Sequence, residues 1–127
     1  MKRVFISFKM ENKKQVDGVR LMSWNKGHEL EFYDESVRIS YKSQDASYIK
    51  SRIREKIQRA SITLCLLGKD THSSEWVDWE LSTSIAEKNA IVIMGLPGIA
   101  GNQILPPSVR GHTWYLWSPE YLTRLLQ

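Results

Sequence analysis

Apolar and polar positions alternate along the chain in blocks that predict strands and helices in turn. Five apolar runs rich in β-branched or aromatic residues predict strands. They are "RVFISF" (3–8), "LEFYD" (30–34), "SITLCLL" (61–67), "AIVIMGL" (90–96) and "TWYLW" (113–117). Helical periodicity predicts helices over about 14–24, 46–59 and 74–88. A last helix is expected at "SPEYL", where Ser118 can cap and Pro119 takes the first helical position.

The order of these elements predicts a parallel α/β fold. The first, third and fourth runs are almost continuously apolar, as in parallel strands covered on both faces. Because strands alternate with helices, we expect a flavodoxin-like five-stranded parallel sheet with helices on both faces and strand order 2-1-3-4-5. The 127 residues fit a single domain over 1–127.

This strand order also predicts where a ligand would bind. In open parallel sheets, ligands bind outside the carboxyl ends of the strands, at the crevice where the strand order reverses. Here that crevice lies between the first and third strands. The residues expected there are Phe5, Ser7, Lys9, the loop 68–72 and, on the rim, Asp34.

The helix that follows this crevice carries an unusual segment, "EWVDWEL" (75–81). Val77, Leu81 and Ile85 recur every four residues and predict the stripe that faces the sheet. Trp76 and Glu80 are also four residues apart, so they share a face at the margin of that stripe. Ser73 or Ser74 is expected to cap the helix, and Glu75 suits its first turn. Glu80 has no such structural explanation.

The net charge does not by itself indicate a nucleic-acid partner. It is +4, and the densest basic group is "KSRIREKIQR" (50–59). Ile49, Ile53 and Ile57 recur every four residues there, so the basic side chains form the solvent face of an amphipathic helix. We therefore expect no nucleic acid among the partners.

Cysteine usage and hydropathy indicate a cytoplasmic protein. Cys65 is the single cysteine and lies in an apolar run, so no disulfide framework is expected. No apolar run approaches the length of a membrane span, and the amino terminus has too short an apolar stretch for a secretion signal. A membrane is not an expected partner.

Several familiar catalytic patterns are missing. The three histidines, His28, His72 and His112, are far apart in sequence, so we expect no metal site. The glycine-rich stretch "GLPGIAGNQILPPS" (95–108) lacks the glycine order of phosphate-binding loops and is expected to be a connector. No G-x-S-x-G elbow of a serine hydrolase occurs.

Four stretches together resemble a known family. They are "RVFISF", "YDES" (33–36), "TLCLLGKDTHSSEWVDWEL" (63–81) and "AEKNAIVIMGL" (86–96). In order and spacing they resemble a TIR-like domain, and most closely the TIR-like subunit of the bacterial Thoeris anti-phage systems. The resemblance covers roughly the first hundred residues. Its most specific part is the W-x-x-x-E pattern from Trp76 to Glu80.

The resemblance implies an activity and a set of site residues. Many bacterial TIR domains cleave NAD between nicotinamide and ribose, and Thoeris members make an ADP-ribose-derived signal for a separate effector protein. Glu80 matches the family's catalytic glutamate, and Phe5 and Ser7 match positions at the substrate pocket. Asp34 lies beside the family's mobile loop, here 35–47, and Trp76 could pack along the dinucleotide. The resemblance further implies self-association for activity, with NAD as the substrate and no other cofactor.

A single carboxylate suffices for this chemistry. Loss of nicotinamide leaves positive charge on the ribose ring, as in the oxocarbenium-like state of glycoside hydrolysis. Nicotinamide departs as a neutral molecule, so no acid has to protonate it. A carboxylate that stabilises the developing cation more than the ground state therefore accelerates the reaction.

The same residues also have purely structural explanations. Trp76 can be core filling, Phe5 and Ser7 can be routine strand residues, and Asp34 can cap a turn. The main alternative to an enzyme is a non-catalytic TIR-like interaction module that assembles through its helices and the 35–47 loop. That module would not need Glu80.

Overall fold

A four-stranded parallel sheet forms the centre of the computed structural model, which describes residues 2–22, 26–31 and 40–127. The strand order is β2-β1-β3-β4, and every neighbouring pair is parallel. The strands are β1 (Lys2–Ser7), β2 (His28–Glu31), β3 (Ile62–Leu67) and β4 (Ala90–Gly95). The predicted α/β class and the order of the first four strands are therefore confirmed.

The predicted fifth strand is wrong as a strand. The segment 113–117 contributes a single bridge, in which Tyr115 N donates to Ile93 O at 3.0 Å and Gly95 N donates to Tyr115 O at 2.8 Å. Gly111 turns the chain just before this segment with a φ of +91°, and Ser118 already begins the last helix. Of the residues between this turn and the helix, Tyr115 is the one that pairs with β4.

Within the described ranges, four α-helices connect and cover the strands. They are α1 (Lys13–Arg20), α2 (Ala46–Arg59), α3 (Glu75–Ala86) and α4 (Pro119–Leu125). Short 3-10 helices occur at Met10–Asn12, Thr71–Ser73 and Pro107–Val109. The predicted caps are confirmed, since Ser74 Oγ accepts from Val77 N and Ser118 Oγ accepts from Tyr121 N. Each cap satisfies a backbone N–H that has no partner within its helix.

The first helix ends earlier than the periodicity predicts. It stops at Arg20 instead of continuing to residue 24. Leu21 is 88% exposed and Met22 is also exposed, so neither residue continues the buried face that stabilises the helix. Trp24, the predicted end, lies outside the described residues.

Helices lie on both faces of the sheet, as predicted. On one face, Val4 and Ile6 of β1 pack with buried residues of α1 and α4, among them Val16 and Leu122. On the other face, Phe5 packs with the three isoleucines of α2. Buried residues of α3 pack there against β3 and β4. Alternation along β1 thus directs Phe5 and Ser7 to the α2–α3 side.

The orientation of α3 differs from the predicted one. Val77 and Leu81 are fully buried, but Ile85 is 42% exposed. The buried face instead follows the spacing i, i+3, i+4 and i+7, and it includes Glu80 and Ser84. Glu80 therefore lies within the stripe that faces the sheet, not at its margin.

This orientation can be tested by truncating one residue inside the stripe and one outside it. Leu81→Ala opens a cavity in the core and should lower the free energy of unfolding by about 2–5 kcal/mol. Ile85→Ala should change it by less than about 1 kcal/mol, because Ile85 is partly in solvent. Urea denaturation of both variants measures this, and equal losses would contradict the observed orientation.

Candidate functional site

The site is built around a buried contact between a carboxyl group and a hydroxyl group. Ser7 Oγ donates a hydrogen bond to Glu80 Oε1 at 2.7 Å. Ser7 is the last residue of β1 and is wholly buried, and Glu80 lies in the second turn of α3 with 4% exposure. The contact joins the carboxyl end of the first strand to the helix that follows the third strand. This is the sheet edge at which the strand order predicts a ligand site.

Burial changes the acidity of Glu80. Removal from water disfavours the charged form and raises the pKa of the carboxyl to about 8, while the hydrogen bond from Ser7 acts in the opposite direction. The free protein therefore holds Glu80 mainly as the neutral acid at neutral pH. A carboxyl group with such a pKa can be either a proton donor or a carboxylate near physiological pH.

Cys65 is the neighbour of this pair on β3, where it lies beside Ser7 in the strand register. The thiol is wholly buried, and burial together with the charge of Glu80 raises its pKa. A thiol held in this way stays protonated and is a poor nucleophile. Cys65 therefore acts as the buried small apolar residue that its sequence context predicts.

The loops after β1 and β3 contact each other above this pair. Lys9 Nζ lies 3.4 Å from Ser73 Oγ and 3.3 Å from a carboxylate oxygen of Glu11. A side chain at Gly68 would overlap the Asn12 side chain, so these two loops approach closely because residue 68 has no Cβ. The predicted crevice residues Lys9 and 68–72 are thus brought to the same edge of the sheet.

Aromatic residues cover the neighbouring part of α3. Trp76, one turn before Glu80, is half-buried against the cluster that contains Phe5. Its ring meets Tyr41 and Trp79 edge to face, with ring centroids 5.2 Å and 6.2 Å apart. Lys50 Nζ lies 4.0 Å from the centre of the Tyr41 ring, which adds a cation–π contact. Trp76 thus ties the end of the segment before α2 to the helix that carries Glu80.

The predicted site residues fall into three groups. Ser7 and Glu80 are in direct contact, while Phe5 and Trp76 share the apolar cluster beside them. Phe5 has no exposed surface, so it contributes to the core in the ligand-free protein. Asp34 lies outside the described residues. The roles of all five in binding or catalysis stay predictions.

A chain of buried polar side chains was not identified from the sequence. Thr63 Oγ1 donates to Ser84 Oγ, which in turn donates to the backbone carbonyl of Glu80. Hydrophobic periodicity gives no signal for such residues, because it treats a buried hydroxyl as a solvent-facing one. The clue in the sequence is Thr63, a polar residue within the continuous apolar run of β3.

A separate cavity of about 240 Å³ lies on the outer side of α3. Its lining residues are Tyr41, Glu75, Asp78, Trp79, Ser82 and Ser108. Glu80 does not line it, since Glu80 faces the sheet on the opposite side of the helix. Asp78 is committed to a structural contact, because its carboxylate accepts from Ser108 N at 2.7 Å.

The described part of the chain has neither a metal-binding cluster nor a membrane-spanning helix. Residues 2–22, 26–31 and 40–127 contain no group of three histidine, cysteine, aspartate or glutamate side chains able to hold a metal ion. None of the helices in these ranges has the length and apolar character needed to cross a membrane.

The raised pKa of Glu80 predicts a pH-dependent stability. A carboxyl group whose pKa is higher in the folded state favours folding below its unfolded value of about 4.5, and that benefit is lost as the pH rises through about 8. Relative to Glu80→Gln, wild type should therefore lose on the order of several kcal/mol of stability between about pH 5 and pH 9. Denaturation curves across this range measure the difference.

The matched control is Glu75→Gln on the exposed first turn of the same helix. Its stability difference from wild type should stay constant over the same range. A constant difference for Glu80→Gln as well would contradict the raised pKa.

Known structures share this architecture. A CMP N-glycosidase from Clostridium botulinum, BcmB, superposes with a TM-score of 0.63 at 17% identity, covering 98% of both chains. The TIR domain of the Toll-related receptor TRR-2 from Hydra magnipapillata superposes with a TM-score of 0.60 at 13% identity, covering 97% of this chain and 90% of that one. At these identities the likeness shows the fold alone.

Sequence comparison is more specific. No curated protein matches the chain significantly. Residues 5–100, however, match the family described as the TIR-like domain of the Thoeris protein ThsB. This range contains Ser7, Glu80 and the sheet edge between them. Because this match covers most of the chain and the fold agrees with it, the chain belongs to the TIR-like domain family of Thoeris protein ThsB.

Proposed function

We propose that this TIR-like domain cleaves NAD between nicotinamide and ribose, with Glu80 as the catalytic residue. The observation that carries the proposal is the buried Glu80 carboxyl, held by Ser7 at the carboxyl end of β1. Membership of the ThsB family supports it. The CMP N-glycosidase of the same fold gives further support, because that protein is named for cleavage of a base–ribose bond.

The reaction needs one negative charge beside the ribose. As the carbon–nitrogen bond breaks, its electron pair leaves with nicotinamide, and the ribose becomes an oxocarbenium-like cation. An ionised Glu80 stabilises this cation strongly, because its buried position limits screening of the charge by bulk water. Water then adds its oxygen to the ribose carbon and releases a proton, which gives ADP-ribose. A different nucleophile gives a cyclic or conjugated product.

Binding of NAD would favour ionisation of Glu80. The nicotinamide ring of NAD is positively charged before cleavage, and a nearby positive charge lowers the pKa of a carboxyl group. Glu80 is mainly neutral in the free protein because its pKa is about 8. Binding of NAD would therefore convert the neutral acid into the carboxylate that the reaction requires.

A second candidate substrate class is a pyrimidine nucleotide. The name of the CMP N-glycosidase, which matches 98% of this chain in fold, favours it. Cytosine carries no positive charge when attached to ribose, so it leaves well only if it gains a proton. The neutral form of Glu80 could donate that proton, so the two substrates require opposite protonation states of one residue.

The signalling part of the proposal extends beyond this site. We propose that the ADP-ribose-derived product acts on a separate effector protein in the cytoplasm, in defence against phage, and that activity requires self-association of the chain. These elements follow from the family resemblance. The competing proposal is a TIR-like interaction module without catalysis, for which Glu80 would be a costly residue to bury.

Nicotinamide release tests the proposed activity directly. Wild type incubated with NAD, concentrated or with lysate of infected cells, should release nicotinamide. Glu80→Gln keeps the shape but removes the charge, and it should lower the rate at least about 100-fold. Chromatography of the released base measures this. Glu75→Gln, on the exposed first turn, should keep the wild-type rate.

Three outcomes separate the proposals. Release that is equally fast in Glu80→Gln would refute the catalytic assignment. Cytosine release from CMP without nicotinamide release from NAD would favour the second substrate class. Absence of both reactions under all assembling conditions would favour the interaction module.

A pH profile distinguishes the two protonation states. For NAD, kcat/KM should increase with pH and level off above about 8, because the ionised form of free Glu80 is the active one. For a pyrimidine nucleotide it should decrease through the same region. A profile for NAD that falls between about pH 7 and pH 9 would contradict the role of Glu80 as a carboxylate.

A further inference from the structure

We propose that a chain of hydrogen bonds from the half-buried Asn89 through the buried Thr63 and Ser84 positions the Glu80 carboxyl against Ser7. These are positioning residues, since they act through Glu80 and not on a ligand. The proposal deepens the proposed function, because it assigns the residues that orient its catalytic group.

The hydrogen bonds of these three side chains all run in the same direction. Asn89 Nδ2 donates to Thr63 Oγ1 at 3.3 Å, and Thr63 Oγ1 donates to Ser84 Oγ at 2.7 Å. Ser84 Oγ then donates to the backbone carbonyl of Glu80 at 2.8 Å. Each hydroxyl group accepts one hydrogen bond and donates one, so every donor in the chain points towards Glu80.

These hydrogen bonds connect three elements of the fold. Asn89 Nδ2 also donates to the carbonyl of Ile57 at 3.1 Å, close to the end of α2. Thr63 belongs to β3, and Ser84 to α3. The hydrogen bonds therefore fix the rotation of α3 about its own axis relative to β3 and α2. That rotation decides whether the Glu80 side chain reaches the hydroxyl of Ser7.

Folding alone gives little reason for these hydroxyl groups. Thr63 and Ser84 are both wholly buried, at positions where valine and alanine would fill similar space without a polar atom. Serine is also a poorer helix former than alanine. Removing both partners of a buried hydrogen bond by apolar groups of similar shape can leave stability nearly unchanged. The pair is thus replaceable for folding but not for the placement of Glu80.

Ser84 acts directly on the turn that carries Glu80. A serine hydroxyl that bonds to the carbonyl four residues earlier competes with the helical hydrogen bond at that carbonyl and tends to bend the helix. Here the bond falls on the carbonyl of Glu80 itself. Loss of this bond and of the bond from Thr63 would release that turn from β3 and weaken the contact between Glu80 and Ser7.

The surroundings of Glu80 limit what else can move its titration. Cys65, beside Ser7 on β3, is a titratable residue whose pKa responds to the charge of Glu80. From α3 and α2, the neighbouring cluster presents Trp76, Trp79 and isoleucines. The hydrogen bond from Ser7 is the contact that lowers the pKa of Glu80. Loss of this hydrogen bond can therefore be measured as a rise in the pKa of Glu80.

The test uses the double variant Thr63→Val with Ser84→Ala, which removes both hydroxyl groups together. Two readouts are measured: the titration of the Glu80 carboxyl carbon by NMR, assigned by its absence in Glu80→Gln, and the kinetics of nicotinamide release. We expect the titration midpoint to rise by about half a pH unit or more as the Ser7 bond weakens. We expect kcat to fall at least about tenfold, with KM changed much less, since misplacement of a reacting group affects the chemical step.

Two further variants serve as matched controls. Thr63→Ser keeps the hydroxyl group and should retain the wild-type midpoint and kcat. Thr83→Val removes a neighbouring hydroxyl on α3 that is not part of this chain of bonds, and it should also behave as wild type. Denaturation curves confirm that each variant is folded at the assay temperature.

The titration does not depend on turnover, so the two proposals fail separately. An unchanged or lowered midpoint in a folded double variant would overturn the positioning role, whatever the activity. Wild-type kcat in the double variant would overturn it as well. If the midpoint rises in the double variant while wild type itself releases no base, the positioning role is supported and the proposed function is refuted.

Discussion

The hydrogen bond between Ser7 and Glu80 joins the end of β1 to the second turn of α3, and the proposed site depends on it. A carboxyl group at this position has almost no contact with water, so its charged form is disfavoured and its pKa rises to about 8. Because the hydroxyl of Ser7 supports the charged form, the group stays close to the balance point between acid and carboxylate. A small change in its surroundings can then select either form.

This balance explains why such a residue can be retained in a small domain. An apolar side chain within the buried stripe of α3 would pack against the sheet without an electrostatic cost. A buried acid is a loss of stability near and above neutral pH, and losses of this kind are typical of functional sites. The cationic ring of NAD would reverse the cost on binding. Substrate recognition and activation of the catalytic group would then be the same event.

Aromatic packing and hydrogen bonds together hold the helix that carries Glu80. The aromatic contacts of Trp76 with Tyr41 and Trp79 cover α3 on the side of α2. The hydroxyl pair of Thr63 and Ser84 fixes the same helix against β3. Apolar packing sets how close the helix lies to the sheet, whereas directional hydrogen bonds set its rotation. A catalytic carboxyl needs both.

Much of this architecture could be predicted from periodicity, and the exceptions have physical causes. The bounds of α2 at Ala46–Arg59 agree with the prediction because its isoleucines recur every four residues over the whole helix. The orientation of α3 could not be read in this way. Its buried face contains the polar residues Glu80 and Ser84, which a hydrophobic pattern does not count, so the pattern wrongly predicts Ile85 to be buried. The segment 113–117 has the composition of a strand but lies between a turn at Gly111 and a cap at Ser118.

The family pattern and the structure agree most closely at Glu80. The W-x-x-x-E spacing singled out this residue from sequence, and the structure places it beside Ser7 at the predicted sheet edge. The partner residues Thr63, Ser84 and Asn89 could not be found by any short motif, because they come from separate elements and meet only in the folded chain. Asp34 lies outside the described residues, so its predicted place at the rim stays a prediction.

The most direct measurement is the titration of Glu80 with and without a bound substrate analogue. The analogue is a carbocyclic NAD, which keeps the positive charge of nicotinamide and resists cleavage. The account predicts a midpoint near 8 in the free protein and a decrease of more than about one unit when the analogue is saturating. A midpoint near the ordinary value of 4.5, or one that the saturating analogue does not move, would contradict it.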